Sequence, residues 1–234
     1  MTPTQARFLA VRDRFEAALK QAGRSLDSAV LIAVSKKHPA QAVKEIWDLG
    51  HRDFGENYVQ ELLEKAVELE SFGCTGIRWH FIGHLQTNKV KALLKVQPVI
   101  HAVDSEKLAR EISKRVTQAQ EGSADASAAL PLIPVFLEVN LDGEATKSGV
   151  APQDAPALSQ ALSQFPGLKL EGLMCIPAPG NVGAFSQLRE LESACRPATR
   201  GGLSMGMTQD FETAVTEGAT HVRIGTAIFG ERTK

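Results

Sequence analysis

Lys36 closes the run Ala29-Val30-Leu31-Ile32-Ala33-Val34-Ser35. A lysine leaving an apolar strand has a stem in low-dielectric surroundings. These disfavour the ammonium form, lower the amine pKa and make it a nucleophile toward aldehydes. An arbitrary lysine is a solvated residue, and Lys37, which points the other way, suits that role. The far end of the chain carries a second kind of chemistry. Leu203-Ser204-Met205-Gly206-Met207-Thr208 and His221-Val222-Arg223-Ile224-Gly225-Thr226-Ala227-Ile228-Phe229-Gly230 each read as a strand running into a turn of small residues. Ser204, Gly206, Thr208, Gly225, Thr226 and Gly230 offer hydroxyls and open backbone N–H groups. Glycine lets the main chain approach a ligand closely, and a following helix start favours negative charge, so these turns suit a phosphate.

The elements that must position these groups alternate in type. Phe8, Val11, Phe15, Ala18 and Leu19 recur at helical spacing within residues 4–22, and Gly23 stops that helix. Strand 29–35 follows, then a helix opened by Pro39 and closed by Gly50. The alternation continues as strand 52–57 and helix 59–71, strand 78–83 and helix 87–95, then strand 98–104 and a helix capped by Asp104 or Ser105. Residues 121–131 are rich in Ala, Ser and Gly and read as a surface loop. Strand 132–141 precedes a helix from Pro152 to Phe165, and strand 170–176 precedes helix 182–195. Strand 202–207 precedes helix 209–217, ended by Gly218, and strand 221–228 is the eighth. Eight strand–helix units in 234 residues predict one α/β domain, a (β/α)8 TIM barrel spanning 1–234 with an extra N-terminal helix. An open doubly wound sheet would want a Gly-rich dinucleotide turn, and no GxGxxG occurs.

A barrel of this kind places its site at the C-terminal ends of the strands, with phosphate held after strands seven and eight. Lys36 ends strand one, and Arg223 lies on strand eight. An amine, a phosphate cradle and a permanent cation together fit a phosphorylated aldehyde: pyridoxal 5'-phosphate (PLP), with Lys36 forming the Schiff base and Arg223 facing the pyridine nitrogen. A phosphate-sugar aldolase would also use such a lysine, usually on a middle strand and with further acid–base residues.

The chain resembles the pyridoxal phosphate homeostasis proteins, single-domain relatives of the alanine racemase barrel. The resemblance covers nearly the whole sequence. It rests on Ala33-Val34-Ser35-Lys36, Phe54-Gly55-Glu56-Asn57-Tyr58-Val59-Gln60-Glu61, Trp79-His80-Phe81-Ile82-Gly83-His84-Leu85-Gln86-Thr87-Asn88-Lys89, Lys147-Ser148-Gly149, Gly172-Leu173-Met174 and both terminal turns. It implies Lys36 as the Schiff-base residue, phosphate contacts around Ser204, Gly225 and Thr226, and a ring flanked by Asn57, Met174 and Arg223. Thr208 stands where many relatives place Ser, and either hydroxyl caps a helix.

The resemblance implies a role in vitamin B6 homeostasis: a carrier of PLP, not an enzyme. The alternative is a weak amino-acid racemase. Racemisation needs two opposed bases, and two-domain racemases bring one, a tyrosine, from a separate β domain. The sequence runs four residues past Gly230, so that domain is not expected, and Tyr58 is the only tyrosine. Arg223 would keep the pyridine nitrogen unprotonated and weaken the electron sink. The near-neutral net charge of -1 gives no reason to expect nucleic acid, and no run of about 20 apolar residues predicts a membrane span. The N-terminus lacks the apolar core of a signal peptide, and three scattered cysteines form no CxxC, which predicts a cytoplasmic, reduced setting. A monomer is expected, with PLP-dependent apo-enzymes as candidate partners. His80 and His84 would share a strand face without making a metal site. His80 reads as a hydrogen-bonded residue beneath the pocket, Glu56 as an organiser, and Gln86, Asn88 and Lys89 as rim residues.

Overall fold

The computed structural model describes residues 1–121, 131–144, 147–181 and 183–231. Eight parallel strands close into a barrel in sequence order, β1 to β8, with β8 returning to β1. The expected α/β barrel and its leading helix are both present. The chain forms two compact units, Met1–Phe81 with Ser204–Lys234, and Ile82–Leu203.

In the first unit, α1 (Pro3–Gln21) starts from a capping box, in which the Thr2 hydroxyl accepts from the Gln5 N–H and the Gln5 side chain returns to the Thr2 N–H. Its buried face is Phe8, Val11, Phe15, Ala18 and Leu19, the residues that the helical spacing selects. Burying each large side chain of this set stabilises by roughly 1.5–3 kcal/mol. Strands β1 (Val30–Val34), β2 (Asp53–Glu56) and β3 (Arg78–Phe81) are short and almost wholly buried, as strands covered on both faces must be. Helices α2 (Ala40–Trp47) and α3 (Val59–Ser71) follow the first two. Later in the chain, α8 (Phe211–Thr216) and β8 (His221–Ile224) complete the unit with α9 (Thr226–Phe229).

In the second unit, α4 is only Val90–Leu93, bracketed by 3-10 turns at Thr87–Lys89 and Leu94–Val96. The predicted helix 87–95 holds a single α turn, and the chain leaves it through Gln97, at φ +48°, just before Pro98. Strands β4 (Val99–Val103), β5 (Ile133–Glu138) and β6 (Leu168–Met174) pair in parallel, with α5 (Glu106–Glu121), α6 (Ala155–Leu162) and α7 (Ala184–Ala194) between and after them. Ser105 caps α5, accepting from the Leu108 N–H at 3.3 Å. Strand β7 (Gly202–Ser204) leads back to the first unit. The predicted loop within 121–131 and the start of the predicted helix at Val182 fall mostly outside the described residues.

One boundary differs in a way that matters. Residues 221–228 are predicted as a strand, but the strand stops at Ile224 and 226–229 form a helical turn. The N–H groups of Ile228 and Phe229 both donate to the Gly225 carbonyl at 2.9 Å. Ile224, Ala227 and Ile228 are spaced i, i+3, i+4, a helical period hidden inside a short apolar run.

Candidate functional site

Lys36 sits two residues beyond the end of β1, half-buried. The peptide around it is firmly held. Ser35 is fully buried; its N–H donates to the Gly55 carbonyl at 2.9 Å and its hydroxyl to Glu56 Oε1 at 2.6 Å. Lys65 on α3, also buried, donates from Nζ to the Ser35 carbonyl at 2.7 Å, to Glu56 Oε1 at 2.6 Å and to Glu61 Oε1 at 2.7 Å. Burial pushes the Glu56 carboxyl up, and Lys65 works against that shift. Glu56 is therefore the organiser that the sequence suggests. Lys65 was not anticipated. Its signal is positional: Leu62, Lys65 and Leu69 are spaced i, i+3, i+7 and share the buried face of α3, where an unpaired lysine is not tolerated. Lys37 is exposed, with φ +63°, and its N–H donates to Glu61 Oε1.

The second terminal turn follows β8, which pairs with β1, and the first follows β7, on the far side of β8. Arg223 on β8 is buried and donates from Nη1 to Ser204 Oγ at 2.6 Å. In the first turn, the Met205 N–H donates to the His221 carbonyl at 3.0 Å, and the Met207 N–H to Asp210 Oδ1 at 2.6 Å. Those two amides are committed within the protein. Gly206 has φ +90°, and a Cβ there would lie 2.5 Å from the Ala214 side chain. Thr208 does not cap the following helix: α8 starts at Phe211 with Asp210 at its N-cap. The second turn is more open. Gly225 precedes α9, and Thr226 and Ala227 begin it, so their N–H groups have no acceptor within that helix. Thr226 is exposed. Arg7 of α1 anchors the turn from behind, with Nε donating to the Ile228 carbonyl at 2.9 Å and Nη2 to that of Phe229 at 3.1 Å. The Phe229 ring stacks on His38 with centroids 5.2 Å apart.

Strand register fixes how these pieces meet. Ala33 pairs with Ile224 and Val34 with Gly55. Carried on, this register sets Gly225 beside Val34 and Asn57 beside Lys36, so Lys36 leaves the barrel wall just past the Gly225 turn. A Cβ on Gly225 would lie 3.2 Å from the Val34 carbonyl oxygen, so a side chain there would press this turn away from β1 by a few tenths of an ångström. The Asn57 Oδ1 is buried without a hydrogen-bond partner. Six of the seven expected residues, Lys36, Asn57, Ser204, Arg223, Gly225 and Thr226, lie in the first unit. Met174 ends β6 in the second unit, fully buried against Ala102 and Phe136.

The family described as alanine racemase, N-terminal domain, matches residues 10–233. The pyridoxal phosphate homeostasis protein of Pseudomonas aeruginosa is 44% identical over 227 residues, covering 95% of this chain and 93% of that protein. This chain belongs to the pyridoxal phosphate homeostasis protein family. Among solved structures, PipY of Synechococcus elongatus PCC7942 with PLP bound is 34% identical, with a TM-score of 0.76 over 93% of this chain and 100% of that one. Alanine racemase from Corynebacterium glutamicum shares the fold at 17% identity and a TM-score of 0.67, over 95% of this chain and 60% of that one.

The other candidates of this family member sort by burial. β3 stops at Phe81, so His84 is not on a strand face with His80. His80 is buried and lies 3.1 Å from Asp53 Oδ1 through Nε2, as a residue beneath a pocket would. In the second unit, His84 Nδ1 lies 3.4 Å from Asp104 Oδ2 and 3.3 Å from Ser148 Oγ, at the edge of a cavity of about 660 Å³ that Gln86, Asn88 and Lys107 also line. Lys147 pairs with Asp142 at 3.0 Å. Among the described residues, no group of three or more His, Cys, Asp or Glu could hold a metal, and no helix is long and apolar enough to cross a membrane. Tyr58 is solvent-exposed at the start of α3, and all three cysteines are buried thiols.

Proposed function

We propose that this protein binds PLP covalently on Lys36 and takes part in PLP homeostasis as a carrier. The observation that carries the reading is the exit of Lys36 from β1 just past the Gly225 turn and level with Asn57, whose buried side-chain oxygen has no hydrogen-bond partner. The residues present fit the cofactor. The buried Asn57 Oδ1 lacks a donor, which a ligand hydroxyl can supply. Gly225 lets the second turn lie close against Val34 of β1, and the first amides of α9 suit an anion.

Bound PLP supplies an aldehyde that condenses with an amine and a ring that withdraws electrons from whatever is attached to it. Lys36 would hold the aldehyde carbon. Ser204, Gly225 and Thr226 would hold the phosphate, and Arg223 the ring nitrogen. A guanidinium has donors only and stays charged, so Arg223 would donate to that nitrogen without protonating it. Such a contact restrains electron withdrawal and favours holding over turnover. The solvent-exposed side chain of Tyr58 is badly placed to serve as a second base, which also supports the carrier reading over a racemase. A monomeric cytoplasmic protein that hands PLP to apo-enzymes is the role we assign.

The deciding experiment is an absorbance spectrum of the purified protein before and after borohydride, with peptide mapping of the labelled lysine. Lys36 should carry the label, and Lys36→Ala should abolish the visible band without loss of fold. A label on Lys37 or Lys89 would overturn the assignment, and a protein without a visible band would point to a phosphate-sugar aldolase.

A further inference from the structure

Lys65 is a lysine with no freedom left. Its three N–H donors meet three oxygens at 2.6–2.7 Å: the Ser35 carbonyl, Glu56 Oε1 and Glu61 Oε1. Two of these acceptors reach the residues on either side of Lys36. The Ser35 hydroxyl shares Glu56 Oε1 with Lys65, and the Lys37 N–H shares Glu61 Oε1 with it. Ser35 and Lys37 are therefore fixed relative to one ammonium, and Lys36 lies between them.

The backbone there needs such a clamp. Lys37 has φ +63°, a left-handed conformation that side chains other than those of Gly, Asn and Asp resist. An extended Lys37 would turn the chain away from Glu61 and swing Lys36 with it. The network also has a defined centre. Glu56 is fully buried, and its second oxygen, Oε2, has no hydrogen-bond partner, so its carboxylate depends on Lys65 and Ser35 alone.

We propose that Lys65, through Glu56 and Glu61, is the positioning residue for Lys36. It sets the direction in which the Lys36 amine leaves the barrel wall, and so the rate at which that amine captures an aldehyde. In the capture, Lys36 Nζ forms a C=N bond to the aldehyde carbon, and the carbonyl oxygen leaves as water with two protons from the amine. Lys65 touches neither reactant. The proposal rests on the reading of Lys36 as the PLP residue.

The test uses the full-length apo-protein and two ligands. PLP needs both the phosphate turns and a well-aimed amine; pyridoxine 5'-phosphate, an alcohol in place of the aldehyde, needs the turns alone. Lys65→Met and Glu61→Ala should slow PLP capture, followed in the visible band, about tenfold to a hundredfold, since misplacing a reacting group by an ångström costs that order of rate. Binding of pyridoxine 5'-phosphate should be unchanged, and Lys65→Arg should restore part of the rate. If Lys65→Met does not fold, Glu61→Ala decides, because Glu61 is partly exposed. Unchanged capture in folded Glu61→Ala, or equal losses for both ligands, would overturn the positioning role. Capture by the Lys36→Ala variant would instead overturn the Lys36 assignment itself.

Discussion

The Arg223 guanidinium donates to the Ser204 hydroxyl at 2.6 Å, with both side chains buried. The direction is fixed, because a guanidinium has no acceptor. The Ser204 oxygen is thereby occupied, and its hydroxyl hydrogen is turned toward another acceptor. Two residues that the resemblance assigns to opposite ends of PLP are thus joined to each other, and a change in one is felt at the other.

Ser204→Ala should therefore do two things. It removes a hydroxyl donor to a dianion, worth about 1.5–3 kcal/mol, or roughly tenfold to a hundredfold in PLP affinity. It also leaves a buried Arg223 N–H unmatched, so the apo-protein should melt lower. Gly225→Val should cost more affinity, because its side chain meets the Val34 carbonyl. Pyridoxal, which lacks the phosphate, separates the effects. If both variants lose pyridoxal as strongly as PLP, the turns are not a phosphate site.

Arg223→Glu inverts the same contact. The Ser204 hydroxyl would then donate to a carboxylate, and the ring nitrogen would face an acceptor that favours its protonated form. The expected result is a shifted visible band, or weaker retention of PLP on dialysis. A spectrum and affinity identical to those of the parent protein would place Arg223 outside the site.

Asn57→Ala gives opposite signs for stability and binding. The Asn57 Oδ1 is buried and unpartnered, a state that costs about 1–3 kcal/mol. Deleting it should leave the apo-protein as stable as the parent or more so, while PLP binds more weakly. Paired thermal melts, with and without PLP, measure both. A lower apo melting temperature with undiminished PLP affinity would make Asn57 a purely structural residue.

Much of this arrangement is legible in the sequence, for identifiable reasons. Apolar runs such as Val30–Val34 announce strands buried on both faces, and glycines at 206 and 225 announce turns that approach something closely. Other features depend on tertiary contact. Lys65 looks like one more charge on an amphipathic helix until the fold brings the Ser35 carbonyl and Glu56 to it. Asp210 removes the Met207 amide from the first turn, a side-chain choice that spacing does not encode. The helical turn after Gly225 was hidden because four residues are too few to show a period.

The same barrel wall makes a prediction about acid. His51 and His221 are half-buried in the first unit, near Asp53 and His80. Burial lowers His51 to about 4 and His221 to about 3, the latter with added repulsion from His80. Burial would raise the Asp53 carboxyl, but hydrogen bonds from His80 and Arg78 outweigh it and hold the group well below the usual range. The sign follows from which state binds protons first. An unfolded histidine titrates near pH 6.5, so as the pH falls below that value the unfolded chain takes up protons that the native His51 and His221 refuse. Stability is full above pH 6.5 and declines toward pH 4, whereas Asp53 affects only more acidic solutions. Two such protons refused over about two pH units give a loss of up to about 5 kcal/mol between pH 7 and 4.5, or roughly 10–20 °C in melting temperature for a chain of this size. His221→Gln cannot take up that proton, so its melting temperature should fall less over the same interval. An equal fall in both proteins would remove His221 as a source of the acid sensitivity.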